Sequence, residues 1–210
     1  MEKFVLDTSV FFNIEESGSL GKTTRRIIES LTKKLIDFKK QEKAAFYLPP
    51  RVVDELRSFF EKEEDFVKKF LANVIIQSPD YGKININGEV FLKLIVDVRG
   101  RSYRGLTIGE EELKNMARLV NGRLFKNKIE FEKTIGPVIK KFRERYRHAT
   151  RFGFLDSPAD LDLIMLAKEI DGFLVSVDEG VINWGRIFGV KELPVSLLGQ
   201  RLDQLLMALD

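Results

Sequence analysis

Six acidic residues carry the chemical content of this sequence. Asp7 and Asp178 each end a short apolar run, Phe4-Val5-Leu6 and Phe173-Leu174-Val175-Ser176-Val177. Asp156, Asp160 and Asp162 crowd into one short segment, and Glu55 lies one turn into a helix that starts at Pro49-Pro50. Crowded carboxylates repel and raise one another's pKa unless a cation neutralises them. There is no cysteine and one histidine, His148. Thiolate catalysis, cysteine-held zinc and multi-histidine metal sites are thereby excluded. Oxygen ligands favour Mg²⁺, Mn²⁺ or Ca²⁺, and one or two Mg²⁺ ions held this way suit in-line phosphodiester displacement. Asp7, Asp160 and Asp178 are the candidate metal holders, either Asp156 or Asp162 can complete the set, and Glu55 is a further candidate. For the acids of segment 156–162 a plain alternative stands alongside. An acid at a helix start is a favourable dipole partner worth ~0.3–1 kcal/mol. Glu55 likewise reads as a solvated helix acid.

The elements that position these residues follow from local pattern. Buried strands are expected at 3–6, 45–48, 173–177 and 193–195, with helices at 20–43, 51–62, 63–77, 157–171, 181–188 and from 196 to about 209. Thr8-Ser9 reads as a helix cap after the first strand, and Ser157-Pro158 as an N-cap and first helical position. Residues 87–121 read as two helices broken near Arg104-Gly105-Leu106-Thr107, and 127–150 as a helix kinked at Gly136-Pro137. Strands alternating with helices imply an α/β fold with a parallel sheet flanked by helices. Ligands of such sheets bind at the carboxyl ends of the strands, where Asp7 and Asp178 can converge. A helix that leads into a strand is expected to start on the far side, so Asp160 requires an oblique approach to reach them.

Composition bounds the rest. The chain has 210 residues, 44% of them hydrophobic, enough for a real core. No apolar run approaches the ~18–20 residues of a spanning helix, so no membrane association is expected. The opening MEKFVLDTSV carries an acid inside its apolar run, which argues against a signal peptide and for a cytoplasmic protein. The charged fraction, 32%, exceeds the usual ~25% and fits a thermophile. Net charge is only +3, but residues 136–155 hold six basic side chains against one acid. Lys140, Arg143, Arg147 and Arg151 recur at helical spacing on one face, a footprint for RNA phosphates. A solvated helix face is the plain alternative. Arg99, Arg101 and Arg104 form a smaller cluster that suits a subunit contact equally well. His148, set among arginines, is read as neither ligand nor catalyst.

Four blocks in order resemble the PIN domain, a family of metal-dependent ribonucleases. They are Phe4-Val5-Leu6-Asp7-Thr8-Ser9, the stretch Pro49 to Leu56, Asp160 to Ala167, and Leu174-Val175-Ser176-Val177-Asp178. The chain is longer than a plain PIN toxin nuclease. Its extra middle, with Asp156-Ser157-Pro158-Ala159-Asp160-Leu161-Asp162, resembles the branch known as Homologs of Aquifex RNase P, the protein-only RNase P of bacteria and archaea. That resemblance implies a PIN-like nuclease domain at 1–80 and 133–210, interrupted by a helical hairpin or spike at 81–132. It implies a metal-dependent endoribonuclease that removes the 5′ leader of precursor tRNA without an RNA subunit. It further implies homo-oligomers assembled partly through the insertion. By matching position the catalytic acids become Asp7, Asp156, Asp160 and Asp178, with Glu55 and Asp162 at acidic positions of the wider family. Two other functions remain in view: a PIN toxin cutting other RNA, which the length disfavours, and a non-catalytic RNA-binding scaffold, which the retained acids disfavour.

Overall fold

A computed structural model describes residues 1–16, 20–60, 64–155 and 157–207. The chain divides into two compact units, one formed by Met1–Ile86 with Leu155–Asp210 and the other by Asn87–Phe154. The second unit thus takes in residues 133–154, which the resemblance places in the nuclease domain.

The first unit is built on a parallel sheet of order β3-β2-β1-β4-β5. Its strands are β1 (Glu2–Leu6), β2 (Ala44–Leu48), β3 (Ile75–Ile76), β4 (Phe173–Val175) and β5 (Lys191–Glu192). β1 is central, pairing Phe4 with Phe46 on one side and with Phe173 on the other. The three rings pack together, Phe4 edge-on to Phe46 at 5.6 Å and stacked with Phe173 at 5.7 Å. β1 continues to β2 on one flank while β4 adjoins it on the other, so the gap between β1 and β4 is the crossover point where parallel sheets open a crevice.

The helices of this unit are α1 (Ser9–Phe12), α2 (Thr24–Gln41), α3 (Pro50–Ser58), α4 (Asp65–Leu71), α7 (Pro158–Glu169), α8 (Glu179–Ile187) and α9 (Val195–Met207). α2 starts where the Thr23 side chain accepts from the Arg26 N–H and buries Ile27, Ile28, Leu31, Leu35 and Phe38, one helical stripe. Pro50 opens α3, whose Val52, Val53 and Leu56 are buried. Stretch 63–77, expected to be one helix, carries α4 and then β3 among its described residues. Two exposed isoleucines on an edge strand are too few to show a period of two, so β3 left no local signal. Among the described residues no helix is long and apolar enough to cross a membrane.

The second unit is a helical hairpin of α5 (Gly88–Val120) and α6 (Lys128–Arg151). α5 does not break at 104–107 as expected. Gly105 sits where a Cβ would come 2.7 Å from Tyr146 Cε2 of α6, so the glycine permits close helix approach and does not terminate the helix. α6 likewise runs through Pro137. Across the hairpin Arg145 pairs with Glu111 and Glu112, both at 2.6 Å, and Lys141 reaches Glu112 at 3.5 Å. Arg101 donates to the carbonyls of Thr150, Phe152 and Gly153, and Arg104 to that of Ala149. Two arginines of the smaller cluster, Arg101 and Arg104, therefore satisfy the carbonyls at the C-terminal end of α6, where a helix presents unpaired acceptors and negative charge. His148 stacks on Phe152 with ring centroids 5.2 Å apart.

Candidate active site

Asp7 directly follows β1 and is 7% exposed. Its N–H continues the sheet ladder to the Val175 carbonyl at 3.0 Å. Its Oδ2 accepts from Ser9 Oγ at 2.6 Å and from Ser176 Oγ at 2.5 Å, and its Oδ1 from Thr8 Oγ1 at 3.3 Å. The two serines are themselves held from behind. Val177 N–H donates to Ser9 Oγ at 3.2 Å, and Asp178 N–H to Ser176 Oγ at 3.0 Å. With lone pairs occupied by those amides, both hydroxyl protons are turned onto Asp7. Thr8 and Ser9 are thus not a cap, as the sequence suggested. Thr8 occupies the N-cap position of α1 without any side-chain capping bond.

Glu55 stands beside Asp7. Although the residue is open to solvent, its carboxyl pKa is raised, first by loss of water around it and then by the charge of Asp7, against a lowering hydrogen bond from Thr8. This relationship would have been hard to read from the sequence, where 48 positions separate them.

Asp178 is exposed and caps α8, accepting from Val181 N–H at 2.9 Å. The link Asp7–Ser176–Asp178 N–H ties it to the same edge. Asp160 reaches that edge too, without an oblique approach. α7 descends antiparallel to the strands before β4 begins. At its lower end Lys3 Nζ, near the start of β1, donates to Ile170 O at 3.0 Å. At its upper end Asp162 meets Arg51, in the first turn after β2. A helix leading into a parallel strand must start on the carboxyl edge, because it returns the chain to the opposite edge. The contrary expectation is corrected on that ground. Asp160 also forms a capping box, its Oδ2 accepting from Ser157 N–H at 3.1 Å while Ser157 Oγ accepts from Asp160 N–H at 3.2 Å.

Asp162 points elsewhere. It is 3% exposed, with Oδ2 accepting from Arg51 at 2.6 Å and Oδ1 from the Tyr81 hydroxyl. The structure gives it a tying role between α3, α7 and segment 80–83. Neither Arg51 nor Tyr81 was singled out by sequence, since nothing local links positions so far apart. Asp156 lies outside the described residues. Among the described residues no three acids or histidines come together as a metal-holding group.

A PINc domain ribonuclease profile matches residues 3–207. A protein of Pyrococcus furiosus described as RNA-free ribonuclease P is 32% identical over 208 residues, covering 98% of this chain and 94% of that one. Proteins of the same description from Alkalilimnicola ehrlichii and Nitrosococcus oceani are 33% and 35% identical, covering 98% and 91% of this chain and 98% and 89% of theirs. The chain belongs to the PINc ribonuclease family, among the RNA-free ribonuclease P proteins.

A PINc ribonuclease is an endoribonuclease, and nucleases of this family generally depend on a divalent metal. The donors present fit such an ion. They are all oxygen, and among the described residues neither Asp7 nor Asp178 has a lysine or arginine within ion-pair distance. Asp7 and Asp178 follow the carboxyl ends of β1 and β4, Asp160 lies in the first turn of α7, and Glu55 on α3 senses the charge of Asp7. On α6, considered within its own unit, Lys141 and Arg145 turn to α5, while Lys140, Arg143, Arg147 and Arg151 are exposed.

Proposed function

We propose that this protein hydrolyses the bond joining the 5′ leader to precursor tRNA, as a protein-only RNase P that needs no RNA subunit. The observation that carries the reading is Asp7, buried at the carboxyl edge of the sheet and clamped by two serine hydroxyls, with Glu55 near enough for the Asp7 charge to raise its pKa. The description of the relatives as RNA-free ribonuclease P supports the substrate.

Asp7, Asp160 and Asp178, with Asp156 and Glu55, are the groups that would hold Mg²⁺ or Mn²⁺. When bound, the ion supplies Lewis acidity toward the phosphate oxygens and acidifies water. The work of the chain itself is positional. Ser9 and Ser176 fix the Asp7 carboxylate, and the Asp160–Ser157 capping box fixes the first turn of α7. Lys140, Arg143, Arg147 and Arg151 contact the phosphates of the duplex, which proteins read through backbone and shape.

The hairpin supports assembly with further copies of the chain. Phe91 is 61% exposed, Leu92 60%, Val96 61% and Leu113 71%, an apolar load that single soluble chains seldom leave uncovered. A chain lacking residues 88–150 should assemble with fewer copies per particle than the intact protein, as read from mass divided by chain mass.

The test is incubation of purified protein with a 5′-leader precursor tRNA and Mg²⁺, beside an Asp7→Ala variant and a chelator. Cleavage at the mature 5′ end, lost in both controls, is the expected result. Salt-sensitive binding without cleavage would point to a non-catalytic role, and cleavage elsewhere to another RNA substrate.

A further inference from the structure

A cleft of about 290 Å³ opens on the carboxyl edge of the sheet, on the β5 side of Asp7. Its wall is shared with the carboxylate site. Ser176, whose hydroxyl holds Asp7, lines it. α8 contributes to both as well: Asp178 caps the helix, and Ile182 and Arg186, one turn apart, line the cleft. Leu193 supplies a further aliphatic surface, and Asn13 a polar one. At the rim Arg186 is locked to Glu192 by two bonds of 2.9 and 2.7 Å, which holds a planar cation and a carboxylate in fixed positions.

These properties select an occupant. The volume lies at the small end of ligand pockets, the size of one nucleotide and too little for a peptide or a large cofactor. Aliphatic walls beneath a rim of amide, guanidinium and carboxylate suit a flat heterocycle with hydrogen-bonding edges. Through Ser176 the cleft adjoins Asp7, beside which the proposed reaction places the scissile phosphodiester, so its occupant belongs to the same strand as that bond. On the tRNA side of that bond the bases are paired and stacked in a duplex. On the leader side they are single-stranded and free to splay into a pocket.

We propose that the cleft bounded by Ser176, Ile182, Arg186 and Leu193 receives the leader nucleotide adjacent to the scissile phosphate. This rests on the precursor-tRNA reading above and adds to it a subsite that positions the bond over Asp7. Binding the base there draws the phosphate toward the acids and leaves the rest of the leader unconstrained.

The experiment compares two precursors with an unpaired leader, one intact and one abasic at the leader position adjacent to the cut. They are cleaved by the wild-type protein and by Ile182→Trp and Leu193→Trp, which fill the cleft from two different elements. The wild type should lose roughly ten- to hundredfold in kcat/KM on the abasic precursor, as expected for one base contact. Each tryptophan variant should show that loss on the intact precursor and little further loss on the abasic one. Equal wild-type rates on both precursors overturn the proposal, and need no variant. Full activity of a folded tryptophan variant on the intact precursor overturns it as well. Failure of the wild type to cleave either precursor, with RNA bound, instead overturns the functional reading on which the subsite rests.

Discussion

The hydroxyl of Tyr81 donates to the carboxylate of Asp162, the same buried group that pairs with Arg51 at 2.6 Å. This three-way contact joins α3, which carries Glu55, to α7, which carries Asp160. Burial and the Asp162 charge hold the Tyr81 phenol well above the usual range, so it stays a proton donor at every working pH. Asp162→Ala should cost about 2–3 kcal/mol, because it strands two donors, though Arg51 is half open to water. Tyr81→Phe should cost less, about 1 kcal/mol, since the Arg51 pair survives. Thermal or urea unfolding measures both. An Asp162→Ala protein of unchanged stability but abolished cleavage would make Asp162 a metal holder instead.

Gly105→Ala tests the hairpin. In an isolated helix the change should stabilise by about 1 kcal/mol. Here the new methyl meets Tyr146 at 2.7 Å, and overpacking of this kind costs about 1–3 kcal/mol. The variant should therefore melt earlier, and Gly105→Ala combined with Tyr146→Ala should recover part of the loss.

Glu55 makes a prediction in pH. Its pKa is raised from 4.5 by lost hydration and by Asp7. The folded state thus holds that proton more tightly than the unfolded chain does. Between the unfolded and folded pKa values stability falls as pH rises, and above both the penalty is complete. In chelator, Glu55→Gln should be more stable than wild type at neutral pH, and the gap should close toward pH 4. Mg²⁺ should raise the melting temperature of the wild type more than that of Glu55→Gln. Parallel pH profiles of the two proteins would show that Glu55 and Asp7 do not sense one another.

On α6 Arg143 and Arg147 are exposed, as the proposed contact with RNA phosphates requires. Replacing both by alanine should weaken precursor binding and lower the slope of log K against log salt by about 1 for each charge removed. Arg145→Ala, whose side chain serves Glu111 and Glu112, should instead lower hairpin stability. An unchanged salt slope in the double variant would take Arg143 and Arg147 off the RNA.

Much of this arrangement is local and therefore legible in the chain. An apolar run ending in an acid marks β1 with Asp7 and β4 with Asp178. The Ser157-Pro158 start of α7 rests on neighbouring residues alone, as do the amphipathic stripes of α2 and α3. Tertiary structure decided what depends on partners far along the chain. Ser176 reaches Asp7 across 169 positions and Arg51 reaches Asp162 across 111. No periodicity encodes such pairs, so neither the clamp of Ser9 on Asp7 nor the Arg51 partner of Asp162 is legible locally. The unbroken α5 is the same lesson: glycine alone reads as a breaker, and only Tyr146 on the facing helix shows that it is there for want of space. Local sequence sets backbone preference and which face is apolar, whereas the partner of a polar side chain is set by what the folded chain brings within hydrogen-bonding distance.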